Sequence, residues 1–400
     1  MNTNQIKELT NQYILNTYGE RATALVRGEG NYVWDADGKK YLDFISGIAV
    51  NLLGHCHPKL VETIHQQAKT LIHVSNLYYM EPQAKLAELL CNLSFGEKCF
   101  FCNSGAEANE GAIKIARKYA KVHHNPDKFE IITLLKSFHG RTIGALTATG
   151  QEKYQKGFEP LLPGFKYAEL NNLASVEALI SDKTCAVMME PIQGESGVHE
   201  STPEFIKGVK ELCQKYNALL IFDEVQCGLG RTGKMFAYEH YGVTPDIMTL
   251  SKGLAGGLPI GAIVTTNAAG SALEPGNHAS TFGGNPLCSA AAITTLQTII
   301  SDKLIENAEQ MGDYLKVKLK ALMLDFPCIT EIRGKGLMIG AQLNCNGAHL
   351  IKIGVEKGML FNCAAGTTLR FLPALTVNKE EIDEAIAILI DILTTAQLAG

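Results

Sequence analysis

Three side chains capable of chemistry stand at the ends of apolar runs in the sequence. Asp223, Lys252 and Ser104 each close such a run, and a glycine comes directly after Lys252 and after Ser104. A buried carboxylate needs a cationic partner, whereas a buried lysine readily loses its proton and becomes a nucleophile. The free N–H groups at the start of a helix bind phosphate. These segments therefore predict an acid, a reactive amine and a phosphate site.

Each of the three segments also has an ordinary structural explanation. Asp223 would serve as a surface acid or helix cap, Lys252 as a surface lysine with a packed aliphatic stem, and Ser104 as a helix N-cap. Their combination favours a pyridoxal-phosphate site, because this cofactor needs a phosphate cradle, an acid beside its ring nitrogen and a lysine. In this interpretation Asp223 and Lys252 are catalytic. Asp223 keeps the ring nitrogen protonated, and the Lys252 amine transfers protons as general base and acid.

The elements that must position these residues alternate between strands and helices. Runs that are apolar throughout predict strands at residues 98–102, 129–135, 185–189, 219–222, 247–250 and 260–265. Helical periodicity predicts helices over residues 106–120 and 203–216. This alternation indicates an α/β fold with a mainly parallel sheet covered by helices on both faces. Ligands of such sheets bind beyond the carboxyl ends of the strands, which is where the three side chains stand.

The length of the chain predicts more than one domain. A single core rarely serves a chain of 400 residues. A long helical pattern begins at residue 286 and is followed by shorter strand candidates and a closing helix. We therefore predict a large cofactor-binding domain over residues 51–300 and a smaller α+β domain over residues 301–400. Residues 1–50 are predicted to contribute to the smaller domain.

Composition and charge exclude several classes of protein. The net charge of −5 provides no basic surface for nucleic acid, and 46% hydrophobic with 19% charged residues is typical of a globular protein. The 11 cysteines are scattered and odd in number, as expected for free thiols in a reducing compartment. Neither a signal peptide nor a run of about 18 apolar residues is found. We expect a cytoplasmic protein without a metal site.

A series of segments in the same order resembles class III aminotransferases, which are pyridoxal-phosphate enzymes of fold type I. These segments are residues 41–50, 53–58, 100–110, 138–142, 190–195, 222–233, 251–261, 280–286 and 369–375. The resemblance runs nearly end to end. It implies the fold type I architecture, pyridoxal 5'-phosphate as cofactor, and a homodimer with its active sites at the interface.

The resemblance also implies which residues bind the cofactor. Gly105 and Ala106 would donate N–H groups to the phosphate, Phe138 would stack on the ring, and Gln226 would lie near the ring hydroxyl. Thr281 would reach the phosphate of the neighbouring subunit's cofactor. The complete implied set is Ser104, Gly105, Ala106, Phe138, Asp223, Glu224, Val225, Gln226, Lys252 and Thr281.

Four further residues are implied to bind substrate: Arg141, Glu195, Ser280 and Arg370. Arg141 stands where a guanidinium can bind a carboxylate with two hydrogen bonds. Arg370 resembles the arginine that binds the α-carboxylate of glutamate. Glu195 resembles the family's gate, which pairs with Arg370 for one substrate and moves away for the other. The alternative for each arginine is a structural salt bridge.

Within the family, the segments are most similar to those of enzymes that act on acetylornithine. This implies transfer of the δ-amino group of N2-acetyl-L-ornithine to 2-oxoglutarate, giving N-acetyl-L-glutamate 5-semialdehyde and L-glutamate. The reaction would be a ping-pong step of arginine biosynthesis. Succinylornithine, N-succinyl-diaminopimelate, ornithine and 4-aminobutyrate stay open as substrates. The sequence does not separate acetyl from succinyl groups, because that selectivity depends on the shape of the pocket, whereas ornithine and 4-aminobutyrate are disfavoured because the segment around Arg370 is less similar to that of their enzymes.

Two alternatives come from other classes of protein. Residues 228–233 fit the G-x-G-x-x-G pattern of dinucleotide enzymes and precede Asp246, yet no helical pattern follows them, as that motif requires. A catalytically inactive cofactor-binding protein is disfavoured because the lysine, the acid and both arginines are present. The pair Cys99 and Cys102 lies within a strand candidate, where residues three apart point to opposite faces and cannot share a metal.

Overall fold

The structure is a computed structural model that describes residues 1–398. The α-helices are α1 (Thr3–Tyr13), α2 (Ser46–Ala49), α3 (Pro58–Thr70), α4 (Glu81–Leu93), α5 (Gly105–His123), α6 (Ile143–Ala148), α7 (Glu152–Gln155), α8 (Leu173–Glu177), α9 (Pro203–Lys215), α10 (Asn267–Gly270), α11 (Pro286–Ser301), α12 (Leu304–Asp325), α13 (Ala348–Lys357) and α14 (Lys379–Leu398). The strands are β1 (Leu25–Glu29), β2 (Tyr32–Asp35), β3 (Lys40–Asp43), β4 (Lys98–Cys102), β5 (Glu130–Leu134), β6 (Phe165–Ala168), β7 (Thr184–Met189), β8 (Ile192–Gln193), β9 (His199–Glu200), β10 (Leu219–Asp223), β11 (Ile247–Leu250), β12 (Gly261–Thr265), β13 (Ile329–Lys335), β14 (Met338–Leu343), β15 (Met359–Leu360), β16 (Asn362–Ala364) and β17 (Thr368–Phe371).

The central sheet has seven strands in the order β4-β12-β11-β10-β7-β5-β6. Only β12 runs antiparallel to its neighbours, and the remaining pairs are parallel. Every residue of β7 and β10 is buried, because α5 packs on one face of the sheet and α9 on the other. The predicted α/β fold with a mainly parallel sheet is confirmed, and all six predicted strands are present with shifts of one residue at some ends.

The helical pattern that begins at residue 286 forms two helices, α11 and α12. They are separated at Lys303, whose φ of 54° lies in the left-handed region and interrupts the helical backbone. The next strands, β13 and β14, form a hairpin around Gly336 with φ of 51°. A Cβ on Gly336 would lie 2.5 Å from the backbone carbon of Thr232, so only glycine fits this turn.

Two smaller sheets complete the fold. One has the order β1-β2-β3-β15 and the other the order β13-β14-β17-β16. Strand β15 pairs in parallel with β3, so the N-terminal segment shares a sheet with a strand near the C-terminus. The domain boundaries at residues 50 and 300 stay a prediction, and residues 399–400 of the predicted C-terminal domain lie outside the described residues.

The glycine-rich segment over residues 228–233 and the pair Cys99 and Cys102 have simple structural roles. The segment over residues 228–233 forms turns and is followed only by a short 3-10 helix, Ala237–His240, so it lacks the helix of a dinucleotide motif. Cys99 and Cys102 pack into different hydrophobic clusters, and all cysteines are free thiols. Over residues 1–398, no cluster of metal ligands is found. None of the helices described is long and apolar enough to cross a membrane.

Candidate active site

A cavity of about 240 Å³ lies beyond the carboxyl ends of β4, β5, β7, β10 and β11. These strands all run in one direction, so the loops that follow them meet at one edge of the sheet. The cavity is lined by Gly105, Ala106, Asn109, Phe138, His139, Gly140, Arg141, Glu190, Asp223, Val225, Gln226, Ser251 and Lys252. It therefore brings together eight of the residues expected from the sequence.

Asp223 is the most firmly held of these residues. Its carboxylate accepts hydrogen bonds from Asn109 Nδ2 at 2.7 Å, from His139 Nδ1 at 2.8 Å and from the Val225 N–H at 3.0 Å. The residue is 3% exposed. Because Asp223 ends a fully buried strand, these bonds compensate the loss of water around its charge.

The orientation of Asn109 is determined by a further partner. Thr249 on β11 donates its hydroxyl to Asn109 Oδ1 at 2.7 Å, which directs the amide N–H groups to Asp223 and to the His139 carbonyl oxygen. A strand and a helix beside β10 thus fix the carboxylate. Such a chain of buried hydrogen bonds holds one geometry, because any rotation leaves a polar group unpaired.

Lys252 follows β11 and begins a short 3-10 helix with a φ of 41°. Left-handed backbone is unfavourable for a residue with a side chain and is concentrated at functional sites. The side chain is half-buried and lines the cavity. Burial lowers the pKa of the Lys252 ammonium, and the nearby Glu195 charge offsets this only in part. The amine is therefore more easily deprotonated than an ordinary lysine.

The first turn of α5 offers two unpaired N–H groups to the cavity. Ser104 caps this helix, accepting the Glu107 N–H with its hydroxyl and the Ala108 N–H with its carbonyl. Within the described residues, the N–H groups of Gly105 and Ala106 have no such partner. A Cβ on Gly105 would lie 2.8 Å from Val225 Cγ1, so glycine keeps the helix start open. This arrangement suits a phosphate.

Arg141 and Phe138 form one wall of the cavity. Arg141 is exposed, and its guanidinium carbon lies 4.2 Å from the ring centre of Tyr154 and 5.6 Å from that of Phe138. The structure gives Arg141 no carboxylate partner within residues 1–398. Aromatic contacts orient the guanidinium while leaving its N–H donors free for an anionic ligand.

Arg370 is placed very differently. It lies on β17, is fully buried, and donates through Nη1 to Glu195 Oε1 at 2.8 Å and to Gln226 Oε1 at 3.1 Å. Gln226 in turn donates to Glu195 at 3.0 Å. Burial acts to raise the pKa of Glu195, but the Arg370 charge outweighs it and the pKa is lowered. Nη2 of Arg370 is buried without a partner among the described residues.

Some expected residues lie outside the cavity. The Glu224 carboxylate points away from it and accepts the N–H groups of Ala237 and Tyr238. Burial raises the pKa of Glu224 to about 8. Ser280 accepts hydrogen bonds from Asn103 and the Gly283 N–H, and Thr281 is exposed to solvent. Neither Ser280 nor Thr281 lines the cavity of its own chain.

Sequence reasoning missed five residues of the cavity as functional candidates: Asn109, His139, Gly140, Glu190 and Ser251. Glu190 follows β7 as Asp223 ends β10, and it is 5% exposed. A polar residue directly after an apolar strand was the available signal for Glu190. Asn109 and His139 carried no such signal, because their partner Asp223 is distant in sequence.

The residues of the cavity fit pyridoxal phosphate. The open first turn of α5 suits its phosphate, Asp223 offers a fixed carboxylate for its ring nitrogen, and Lys252 offers an amine with a lowered pKa. The His139 Nε2 and Arg370 Nη2 atoms are buried and unpaired within residues 1–398, as expected beside a polar ligand. The cavity lies just below the range of roughly 300–1,000 Å³ that is typical of drug-sized ligands.

Comparisons with known proteins agree with this geometry. The family model described as "Aminotransferase class-III" matches residues 14–393. The acetylornithine aminotransferase of Caldanaerobacter subterraneus subsp. tengcongensis is 54% identical over 384 residues, covering 96% of this chain and 98% of that protein. The crystal structure of acetylornithine aminotransferase from Elizabethkingia anophelis has a TM-score of 0.88 and 33% identity, covering 99% of this chain and 100% of that one.

A third relative bears on the cofactor. The ornithine aminotransferase of Toxoplasma gondii, crystallised with oxidised glutathione, has partial occupancy of pyridoxal phosphate at its active site. It superposes with a TM-score of 0.94 at 32% identity, covering 99% of this chain and 95% of that one. With the family match over most of its length, and with a cavity that fits the cofactor, this chain belongs to the class III aminotransferases, which are pyridoxal-phosphate enzymes.

Proposed function

We propose that this enzyme transfers the δ-amino group of N2-acetyl-L-ornithine to 2-oxoglutarate by a ping-pong mechanism. The products are N-acetyl-L-glutamate 5-semialdehyde and L-glutamate, in a step of arginine biosynthesis. The proposal is supported by the identity of 54% to an acetylornithine aminotransferase over nearly the full chain. The structural observation that carries it is the contrast between two arginines: Arg141 lines the cavity without a carboxylate partner, and the buried Arg370 pairs with Glu195 and with the lining residue Gln226.

The two arginines suit two substrates with different numbers of carboxylates. Arg141 has free donors and would bind the carboxylate that is present in acetylornithine. Arg370 is neutralised by Glu195, so it presents no net charge to a substrate without a second carboxylate. Glutamate and 2-oxoglutarate have a second carboxylate, which would replace Glu195 on Arg370. One pocket can therefore accept both substrates in turn.

Pyridoxal phosphate, when bound, supplies the electron sink that lets the carbon bearing the amino group lose a proton. Gly105 and Ala106 would bind its phosphate, Phe138 would lie against its ring, and Asp223 would face the ring nitrogen. Lys252 is the residue we expect to attach it. The Lys252 amine is also the base that would remove the substrate proton and return it, since its pKa is lowered by burial.

We also propose that two copies of the chain form a homodimer with the active sites at the interface. Leu77, Tyr78 and Tyr79 are 85%, 67% and 108% exposed, which is unusual for large apolar side chains. Asn76 joins this segment to the loop of Ser280 by donating to the carbonyl oxygens of Ser280 and Gly283. If a partner subunit covers this surface, Thr281 and Ser280 of one subunit would lie near the cofactor of the other.

The division into domains over residues 1–50, 51–300 and 301–400 and the cytoplasmic location belong to the same proposal. The division is supported by the two four-stranded sheets, which are separate from the seven-stranded central sheet. The location is supported by free cysteine thiols over residues 1–398, which are expected in a reducing compartment.

The test is to measure glutamate formation from 2-oxoglutarate with each candidate amino donor, using the cofactor-loaded protein. We expect the highest kcat/KM with N-acetylornithine, followed by succinylornithine, with ornithine and 4-aminobutyrate well below. If ornithine is preferred, the substrate assignment is wrong and the transaminase assignment stands. A protein that binds pyridoxal phosphate but transfers no amino group would contradict both.

The Arg141→Ala variant tests the role of the free arginine. We expect the KM for N-acetylornithine to rise roughly 10- to 100-fold, the effect of losing hydrogen bonds to a charged group. The matched control is Arg27→Ala, because Arg27 is also exposed and its guanidinium carbon lies 4.4 Å from the centre of an aromatic ring, that of Trp34, and neither residue lines the cavity. An equal rise in both variants would contradict the assignment of Arg141.

A further inference from the structure

Glu190 joins the aromatic wall of the cavity to a turn that is distant from that wall in sequence. It follows β7, and its Oε1 accepts the Phe138 N–H at 2.9 Å while its Oε2 accepts the Gly194 N–H at 3.3 Å. The residue is 5% exposed and lines the cavity. Phe138 is the aromatic wall, and Gly194 directly precedes Glu195. One buried carboxylate therefore sets the distance between the ring wall and the Glu195 turn.

Both oxygens of Glu190 act as acceptors, which only the ionised carboxylate does well. A protonated carboxyl carries a hydrogen on one oxygen, which makes that oxygen a weaker acceptor for its backbone N–H group. The titratable groups that face Glu190 are Asp223, His139, Lys252 and the thiol of Cys227. Burial raises the pKa of Glu190 to about 7, with His139 opposing and Asp223 adding to the effect.

We propose that Glu190 is a positioning residue that holds Phe138 and the Glu195 turn at the separation required for binding substrate and cofactor. It acts through these two backbone contacts and carries out no chemical step itself. The inference rests on the proposed function, because the turn it holds carries the residue that we expect to exchange partners between substrates. It extends that function to a residue with no assigned role.

Glu190→Gln is the most direct variant, because it keeps the size of the side chain. Its amide has one acceptor and one donor, so one of the two N–H groups loses its partner and faces another donor. We expect the KM for N-acetylornithine and the Kd for pyridoxal phosphate each to rise about tenfold, the usual effect of a broken hydrogen bond to a charged group. Because Lys252 and Asp223 are untouched, kcat should fall less than about threefold.

The pH profile gives a second readout. The wild-type enzyme needs ionised Glu190, so kcat/KM should rise with pH through the region near the pKa of about 7. Glu190→Gln cannot titrate, and this limb of its profile should be flat. Glu190→Asp keeps the charge but is shorter, so it should retain the limb while recovering only part of the affinity. If Glu190→Gln folds poorly, Glu190→Asp tests the same inference through its partial loss of affinity.

Hydrogen–deuterium exchange of the cofactor-free protein tests the positioning without any substrate. Peptides containing residues 138 and 194 should exchange about tenfold faster in Glu190→Gln than in wild type. The matched control is Glu110→Gln, because Glu110 Oε1 accepts two backbone N–H groups, of Gly144 and Ala145, outside the cavity. Its exchange should stay at the wild-type level in the peptides containing residues 138 and 194.

Three results would overturn the inference: unchanged exchange at residues 138 and 194, an unchanged KM and cofactor Kd, or equal kinetic losses in Glu110→Gln. These outcomes are separate from a failure of the proposed function. If the enzyme prefers a different amino donor, exchange and cofactor affinity in Glu190→Gln still report whether the carboxylate holds Phe138 and the Glu195 turn together.

Discussion

Two carboxylates of the site, those of Asp223 and Glu195, are held in opposite ways. Asp223 is 3% exposed and accepts three hydrogen bonds, from a helix residue, a loop histidine and a backbone N–H. Glu195 has a side chain that is 24% exposed and lies in a turn, and within residues 1–398 it is held only by the side chains of Arg370 and Gln226. The first carboxylate is fixed by its surroundings, and the second can leave when a competing anion arrives.

This difference matches the demands of a reaction with two unlike substrates. The charge beside the cofactor is needed in both half-reactions, so a fixed Asp223 costs no reorganisation. The charge beside Arg370 is useful in only one of them. The ion pair of Glu195 has a further consequence for stability, because the pKa of Glu195 is lowered in the folded protein. Its stabilising effect is present at neutral pH and is lost as the pH falls through the lowered value.

The largest effect should come from neutralising the fixed carboxylate. We expect Asp223→Asn to lower kcat by about 10²- to 10³-fold, the usual loss when one preorganised charge is removed from an active site. Steady-state kinetics at saturating cofactor measure this. Asp246→Asn is the control, since Asp246 also accepts a backbone N–H and pairs with Lys210 away from the cavity. Similar losses in both variants would mean that Asp223 acts only through stability.

A smaller and more selective effect is expected at the movable carboxylate. Glu195→Gln leaves the buried Arg370 without a counter-charge, so a second substrate carboxylate no longer has a competitor. The ratio of kcat/KM for glutamate to that for N-acetylornithine should rise about tenfold, as for one charged hydrogen bond. The control is Glu200→Gln. Glu200 lies on the same hairpin as Glu195 and pairs with Lys335, and its substitution should leave the ratio unchanged. An unchanged ratio in Glu195→Gln would contradict the proposal that Glu195 competes with a substrate carboxylate for Arg370.

The smallest effect is expected when the hydrogen-bond network around Asp223 is weakened. Thr249→Val removes the donor that orients Asn109, and we expect about 1–2 kcal/mol less stability to urea and a threefold lower kcat, because one buried acceptor loses its partner. Thr133→Val is the matched control, because Thr133 is also fully buried on a strand and its hydroxyl has no partner within residues 1–398. Equal stability losses would show that Thr249 has no orienting role.

Site residues at the ends of apolar strands could be predicted from the sequence, because the direction of the strands alone brings their side chains to one edge of the sheet. Asp223 and Lys252 were found in this way, and the structure brings both into one cavity. Glu224 shows the limit of the argument. It is the next residue after Asp223, yet its carboxylate points to Ala237 and Tyr238 on the other side of the loop.

The sequence by itself determined the α/β architecture, since apolar strands and amphipathic helices follow from local periodicity. It also determined the family, through segments that keep their order along the chain. The tertiary structure decided which polar groups meet. Asn109, His139 and Thr249 surround Asp223, and Glu190 joins Phe138 to the turn before Glu195. These contacts depend on the packing of elements distant in sequence, because a hydrogen bond needs its two atoms within about 3 Å, a precision that no local pattern encodes.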